Sequence, residues 1–537
     1  MGLWVKPPSD TRSAPPPTHT ARQPVTVPDV PDGSWVVCPS RRPVQSASRR
    51  RRSWHLVRRL VAFVVAAALL AGCVSSEEGS VAGRGAGGAE SSGSSQSSPV
   101  TTARTFPPPP AGVPSGSLTA EAIAAIDALL VDLESAILLA IDVEMTVRSA
   151  PLEVLASSGD VRLAWVLSDL LRFMQGTDGG DDVAEAAERL TGVELGSSGA
   201  WTALTDVLIA WDVPAPPGYV AFKKRAFEIT DVRWSFLFDD PDAAIDYRLV
   251  SWGGVLIDDR PLGSTSVCPG GCIPSLDDPA LTPASGGGWY PDEGLVFGVE
   301  IGGEAVAFPR NIMETHEMVN MTIGGRRVGI PYCTLCGSAQ VFFTDTVAAT
   351  VPGVARPPVL RTSGLLSRSN KITYDLDSRS VFNTFTGAAV SGPLQDVGVV
   401  LEQVAVVTTT WAAWRRDNPH TSIIAEDGGI GRTYKVDPLG GRDAGGPIFP
   451  IGDVDPRLPV HTQVLGVILG DGAAVAFNAD SARIALRAGR TVQAAGVTLR
   501  LEAEGLVATV DGDAVPSHQA FWFAWSQFHP GTALWVA

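Results

Sequence analysis

Charge is sparse in this sequence. Only 18% of its 537 residues are Asp, Glu, Lys or Arg, against 45% hydrophobic, which excludes a disordered acidic polymer and allows a sizeable buried core. Several chemical signatures are also missing. The apolar run Leu60–Leu70 falls well short of the roughly 20 residues that a membrane-spanning helix needs. There is no Gly-x-Ser-x-Gly elbow, and Gly428-Gly-Ile-Gly431 lacks the lysine and the strand–helix setting of a phosphate loop. His316-Glu317 is followed by Asn320 where a zincin protease places its second histidine. What the chain does have is glycine (56) and proline (41), the composition of a loop-rich fold. Residues 1–72 carry 11 Lys/Arg against 3 Asp/Glu, whereas the remainder carries 30 against 54, a net −24. Such a body repels phosphate backbones and excludes nucleic acid as a partner.

Arg49 to Arg52, Arg58 and Arg59 precede the apolar run, which exits through Ala71-Gly72-Cys73. A basic stretch, a short apolar stretch and a small-residue exit form a secretory signal. Leu70-Ala-Gly-Cys73 resembles a bacterial lipobox, and the resemblance implies cleavage before Cys73 and a lipid on its sulfur. The expected organisation is then a disordered or mis-assigned start over 1–48, a signal over 49–73, and a disordered Ser/Gly/Pro tether over 74–116. A helical module over 117–215 and a mainly β domain over 216–537 follow. The folded body is expected outside the cytoplasm, held on the extracytoplasmic face of the cell membrane by its lipidated N-terminus.

The expected fold class is α+β. Ile123, Ile126, Leu130 and Leu133 recur at helical spacing, as do Leu163, Val166, Leu167, Leu170 and Leu171. Asp160 reads as an N-cap, and Asp182 with Glu185 as a capping box. These helices are weakly similar to HEAT repeats and read as a scaffold or a docking surface for a protein partner. After Pro217 the texture becomes short β-type runs, with Glu504-Gly505 and Asp511-Gly512 as hairpin turns.

The β body repeats internally, over about 298–421 and 466–532. Gly298 to Phe308 resembles Gly466 to Phe477, and Trp411-x-x-Trp414 to Thr421 resembles Trp522-x-x-Trp525 to Thr532. The four tryptophans are expected on short helices, packed inward. The first copy carries the longer interval between the two motifs, and that addition is where function is sought.

The addition contains Glu314-Thr-His316-Glu317-Met-Val-Asn320 and Tyr332-Cys333-Thr-Leu-Cys336-Gly-Ser338. With Ser363-Gly-Leu, Thr386-Gly-Ala, Ser391-Gly-Pro and Asp455-Pro-Arg-Leu458, it resembles a bacterial family known only as domain of unknown function 3179. The resemblance extends from about Ile273 to Trp535 and implies no reaction. Thr315, Met321 and Thr334 stand where that family usually has Trp, Asp and Pro.

The chemistry must come from the residues. Cys333 and Cys336, with His316 as a third ligand and Glu317 in support, suit a soft metal, Zn or Cu(I). The same four residues could instead form a catalytic thiol redox site, with His316 and Glu317 as base and orienting carboxylate. The third reading is a structural bridge in a non-enzymatic binding module. In Cys268-Pro-Gly-Gly-Cys272 two glycines allow the tight turn that brings the sulfurs together, which favours a loop-stapling disulfide. His420, His461 and His518 are expected at the surface.

Overall fold

The stripe of leucines that opens the body does build helices. In the computed structural model, which describes residues 105–139, 147–196, 199–268, 270–441 and 446–536, six α-helices come first. They are Ala120–Leu139, Ser149–Ser157, Ala164–Met174, Asp178–Thr191, Ala200–Trp211 and Tyr219–Thr230. Leu130, Leu133, Val166, Leu167, Leu170 and Leu171 are buried as the spacing requires, but Ile123 is 50% exposed. Asp160 caps as expected, accepting the Arg162 amide at 3.1 Å. Asp182 does not. The Thr177 hydroxyl accepts the Gly180 amide at 3.1 Å and starts that helix at Asp178, so Asp182 lies inside it. The signal segment and Cys73 lie outside the described residues. The end of the expected tether is described from Thr105, and its Pro107 carbonyl accepts the Trp211 indole at 2.6 Å. Among the described residues no helix is long and apolar enough to cross a membrane.

The helices pass the expected boundary at residue 215, and they do not have a core of their own. Tyr219–Thr230 packs on Ala120–Leu139 and Ala164–Met174. Trp234, Trp252, Leu365, Ile372 and Tyr374 belong to the same buried cluster as the helix leucines. The Trp234 indole donates to the Ser363 carbonyl at 2.7 Å. The helical part therefore lies against a five-stranded antiparallel sheet ordered Val250–Trp252, Leu360–Ser367, Asn370–Asp375, Val381–Asn383 and Ala389–Ser391.

The two similar stretches of sequence fold alike. In the first, Leu295–Ile301 pairs antiparallel with Glu304–Pro309 and Val407–Thr410, and Ser422–Ile424 adds in parallel. In the second, Gln463–Ile468 pairs antiparallel with Ala474–Asn478 and Ser517–Phe521, and Ala533–Trp535 adds in parallel. A helix follows each third strand, Trp411–Asp417 and Trp522–Phe528, and all four motif tryptophans are fully buried. The Trp414 indole donates to Thr421 Oγ1 at 2.9 Å, and the Trp525 indole to Thr532 Oγ1 at 3.1 Å. The motif is thus a packing device, in which glycine, tryptophan and threonine hold the helix to its sheet.

The extra residues of the first copy form a second sheet that includes Met318–Ile323, Arg326–Cys333 and Val341–Phe343. Val404 lies in this sheet and Val407, three positions on, in the first copy. Further on, Asp511 and Gly512 both have positive φ and make the expected hairpin turn, whereas the turn expected at Glu504-Gly505 falls one residue earlier, on Ala503 and Glu504. His518 is not at the surface. It lies on Ser517–Phe521, the strand between the two copies, 2% exposed, with Gln403 donating to its Nδ1 at 2.8 Å.

Candidate functional site

The strand Arg326–Cys333 carries the first cysteine to a tight turn. The Cys336 amide donates to the Cys333 carbonyl at 3.2 Å, the Gly337 amide to Thr334 at 3.3 Å, and Ser338 pairs back with Cys333. This places both side chains on one side of the turn, with the sulfurs 2.8 Å apart. The tip of the Leu360–Ser367/Asn370–Asp375 hairpin covers them. The Cys336 thiol faces Asn370 Oδ1 at 3.3 Å and the Ser369 carbonyl at 3.6 Å. The second copy closes the other side, where the Phe521 amide donates to the Cys336 carbonyl at 2.8 Å. A Cβ on Gly337 would lie 2.8 Å from Gln463 Nε2. Cys333 is 2% exposed and Cys336 0%.

The two thiols differ. Burial works to raise Cys333, but the hydrogen bond with Cys336 and the Lys371 amide outweigh it and hold that thiol below its ordinary range. Burial, together with the neighbouring Cys333, pushes Cys336 well above it.

Glu317 belongs to this site. It ends the helix Arg310–His316 with φ of 52°. Its carboxylate takes Lys371 Nζ at 2.6 Å and accepts the Thr334 hydroxyl at 2.9 Å, while its carbonyl also accepts Lys371 Nζ at 2.9 Å. Thr334, between the cysteines, thereby ties the turn to a buried ion pair, a role that no proline could fill.

His316 points elsewhere. Its Nδ1 meets the Pro274 carbonyl at 2.6 Å and its Nε2 the Tyr434 hydroxyl at 2.7 Å. The left-handed turn at Glu317 sends the two successive side chains in different directions. Burial lowers the His316 imidazole to about 4, with the Pro274 carbonyl opposing the shift and Arg432 adding to it. Among the described residues, no imidazole or carboxylate joins Cys333 and Cys336 in a group with all ligand atoms within 4.8 Å. The geometry therefore does not bring together the expected trio of Cys333, Cys336 and His316.

One such group does occur, Asp258 with Cys268 and Cys272, but its sulfurs are joined to each other in a disulfide whose Cα atoms are 5.3 Å apart. Asp258 itself is held by Arg260 at 2.7 Å and the Ser275 amide at 2.8 Å. Gly270 and Gly271 make the closure possible with φ of +83° and +88°.

Lys371, Ser369, Asn370 and Tyr434 were not anticipated as site residues. The available signal for Lys371 was a lysine at the head of the strand-type run Lys371-Ile-Thr-Tyr374. No sequence signal pointed to the other three.

Fold and site together define an α+β protein whose β body is a duplicated unit, with a buried dithiol in the addition to its first copy. The model of the family described as "Protein of unknown function (DUF3179)" matches residues 270–511, so the β body carries a domain of that family. The second Trp-x-x-Trp helix lies beyond the matched residues. No curated protein and no solved structure matches the chain.

Proposed function

We propose that this is an exported bacterial protein, anchored through Cys73 on the extracytoplasmic face of the membrane, in which Cys333 and Cys336 form a thiol–disulfide couple. The couple braces the turn of the first copy where it packs on the second copy, and the Cys268–Cys272 disulfide fits the same oxidising compartment. The observation that carries this is the 2.8 Å contact between the sulfurs of two buried cysteines.

Oxidation needs a disulfide donor of the extracytoplasmic folding machinery. The Cys333 thiolate attacks one donor sulfur, forming a mixed disulfide and releasing the first donor thiol. Cys336 then gives up its proton and attacks the Cys333 sulfur, releasing the second donor thiol and leaving the Cys333–Cys336 bond. Enclosure means that the donor acts while the chain folds, before the Ser369 tip closes over the pair.

A metal reading is less well supported. Tetrahedral zinc with bonds of about 2.3 Å holds two sulfurs roughly 3.8 Å apart and needs further ligands, and the Gly337 turn is wedged against Gln463 and Phe521. A second reading, thiol–disulfide exchange, draws on the asymmetry of the thiols, with Cys333 as the attacking group and the Arg368-Ser369 tip as the part that must open.

Alkylation and mass spectrometry of folded protein separate these readings. A Cys333–Cys336 bond that resists mild reductant until the protein is unfolded supports the bracing couple. Ready reduction in the folded state supports exchange. More metal in anaerobically purified wild type than in Cys333→Ser would overturn both in favour of a metal centre.

A further inference from the structure

Outside the thiol site, the structure has an open cleft of about 570 Å³, within the range of small-molecule sites. Neither Cys333 nor Cys336 lines it. Its walls include Trp289, Tyr290, Asn311, Glu426, Arg432 and Tyr434. We propose that this cleft binds an uncharged pyranose saccharide, a function separate from the thiol couple.

Three observations identify the ligand chemistry. The first is aromatic surface. Trp289 and Tyr290 stand with ring centroids 5.4 Å apart, and the Tyr290 hydroxyl already donates to the Leu295 carbonyl at 2.7 Å, so what it offers a ligand is its ring. Ring faces suit the C–H-rich faces of a pyranose.

The second is a donor and an acceptor without protein partners. Asn311 is 6% exposed, and its Nδ2 donates to the Lys435 carbonyl at 3.1 Å, but its Oδ1 has no partner. Trp289 Nε1 is likewise buried without one. Each such group is destabilising while unsatisfied. A ligand hydroxyl, which both donates and accepts, can meet either group after a small side-chain rotation.

The third is charge. Among the described residues of the lining, Arg432 is the one cation, against Glu426 and Asp427, on a body that is itself strongly acidic. That balance disfavours phosphorylated or acidic ligands, while the carboxylates accept hydrogen bonds from sugar hydroxyls. Arg432 already lies 5.7 Å from the Tyr434 ring centroid, which argues against a quaternary ammonium in an aromatic cage.

The wall is held in place. Asn311 and His316 are on one helix, and the His316–Tyr434 hydrogen bond of 2.7 Å fixes the opposite loop to it.

The test is calorimetric titration of the full chain with cellobiose, maltose and N,N′-diacetylchitobiose, each up to about 10 mM, with glucose 6-phosphate as the anionic probe. Saturable binding of at least one neutral sugar, tighter than that of the phosphate, is expected. Trp289→Phe, which keeps an aromatic face but loses the N–H, and Asn311→Leu should each weaken it about tenfold with little change in melting temperature. No saturable binding of any neutral sugar by the wild type would overturn the proposal. So would tighter binding of glucose 6-phosphate, or unchanged affinity in both folded variants. None of these results bears on the thiol couple, which alkylation tests independently.

Discussion

Gly466 lies directly against the indole of Trp525, so close that a Cβ on the glycine would sit 1.9 Å from the ring. The first copy repeats this, with Gly298 2.4 Å from Trp414 on the same measure. Gly466→Ala should therefore cost about 1–3 kcal/mol through overpacking, read as a lower urea midpoint at unchanged slope. Gly298→Ala should behave similarly. Gly531→Ala, where a Cβ meets nothing within 4 Å, is the control and should leave the midpoint in place.

Lys371 and Glu317 form an almost fully buried ion pair at 2.6 Å. Lys371→Met leaves the carboxylate buried with only the Thr334 hydroxyl, and should cost about 3–5 kcal/mol. Adding Glu317→Gln should recover part of that loss, so a double-mutant cycle by chemical denaturation should give a clear coupling energy. Additive single effects would contradict the pairing.

Stability should fall on mild acidification. Burial, and to a lesser degree the charge of His529, lowers His518 to about 3, while burial lowers His316 to about 4. Between these values and the ordinary histidine value of about 6.5, the unfolded chain binds protons that the folded chain refuses. Stability is therefore fully present above that range and is lost as pH drops through it, by about 1.4 kcal/mol per pH unit for each histidine. Urea titrations across the range should show the slope, and His518→Gln should reduce it.

The Cys268–Cys272 disulfide closes a short loop. Replacing both cysteines by serine should cost about 2 kcal/mol on the loop-entropy account. The loss should appear as a lower melting temperature, matched by wild type under reductant strong enough to open this bond.

Much of the fold was legible because local rules agreed. Leucine spacing marked the helices, and the Gly…Trp-x-x-Trp…Thr pattern marked the duplication, since each of those residues answers a contact within its own unit. The site was legible only in part. The turn that joins Cys333 to Cys336 is local and could be read. The direction of His316 depends on one left-handed residue, Glu317 (φ 52°), and no periodicity announces it. Lys371 reaches Glu317 across 54 positions of chain, and Tyr434 reaches His316 across 118, separations that a single sequence does not encode as a pattern. His518 misled because it follows Pro516, a loop-like setting, yet its strand is shared between the two copies.

The interior common to the helices and the first sheet bears on how the protein can be cut. Sequence similarity begins at residue 270, but Val250–Trp252 is the edge strand that covers Leu365 and Leu366, and Trp234 and the helices cover the sheet face. A fragment trimmed to the matched segment would expose that greasy wall to water and precipitate on expression, whereas one that starts ahead of Ala120 should stay in solution.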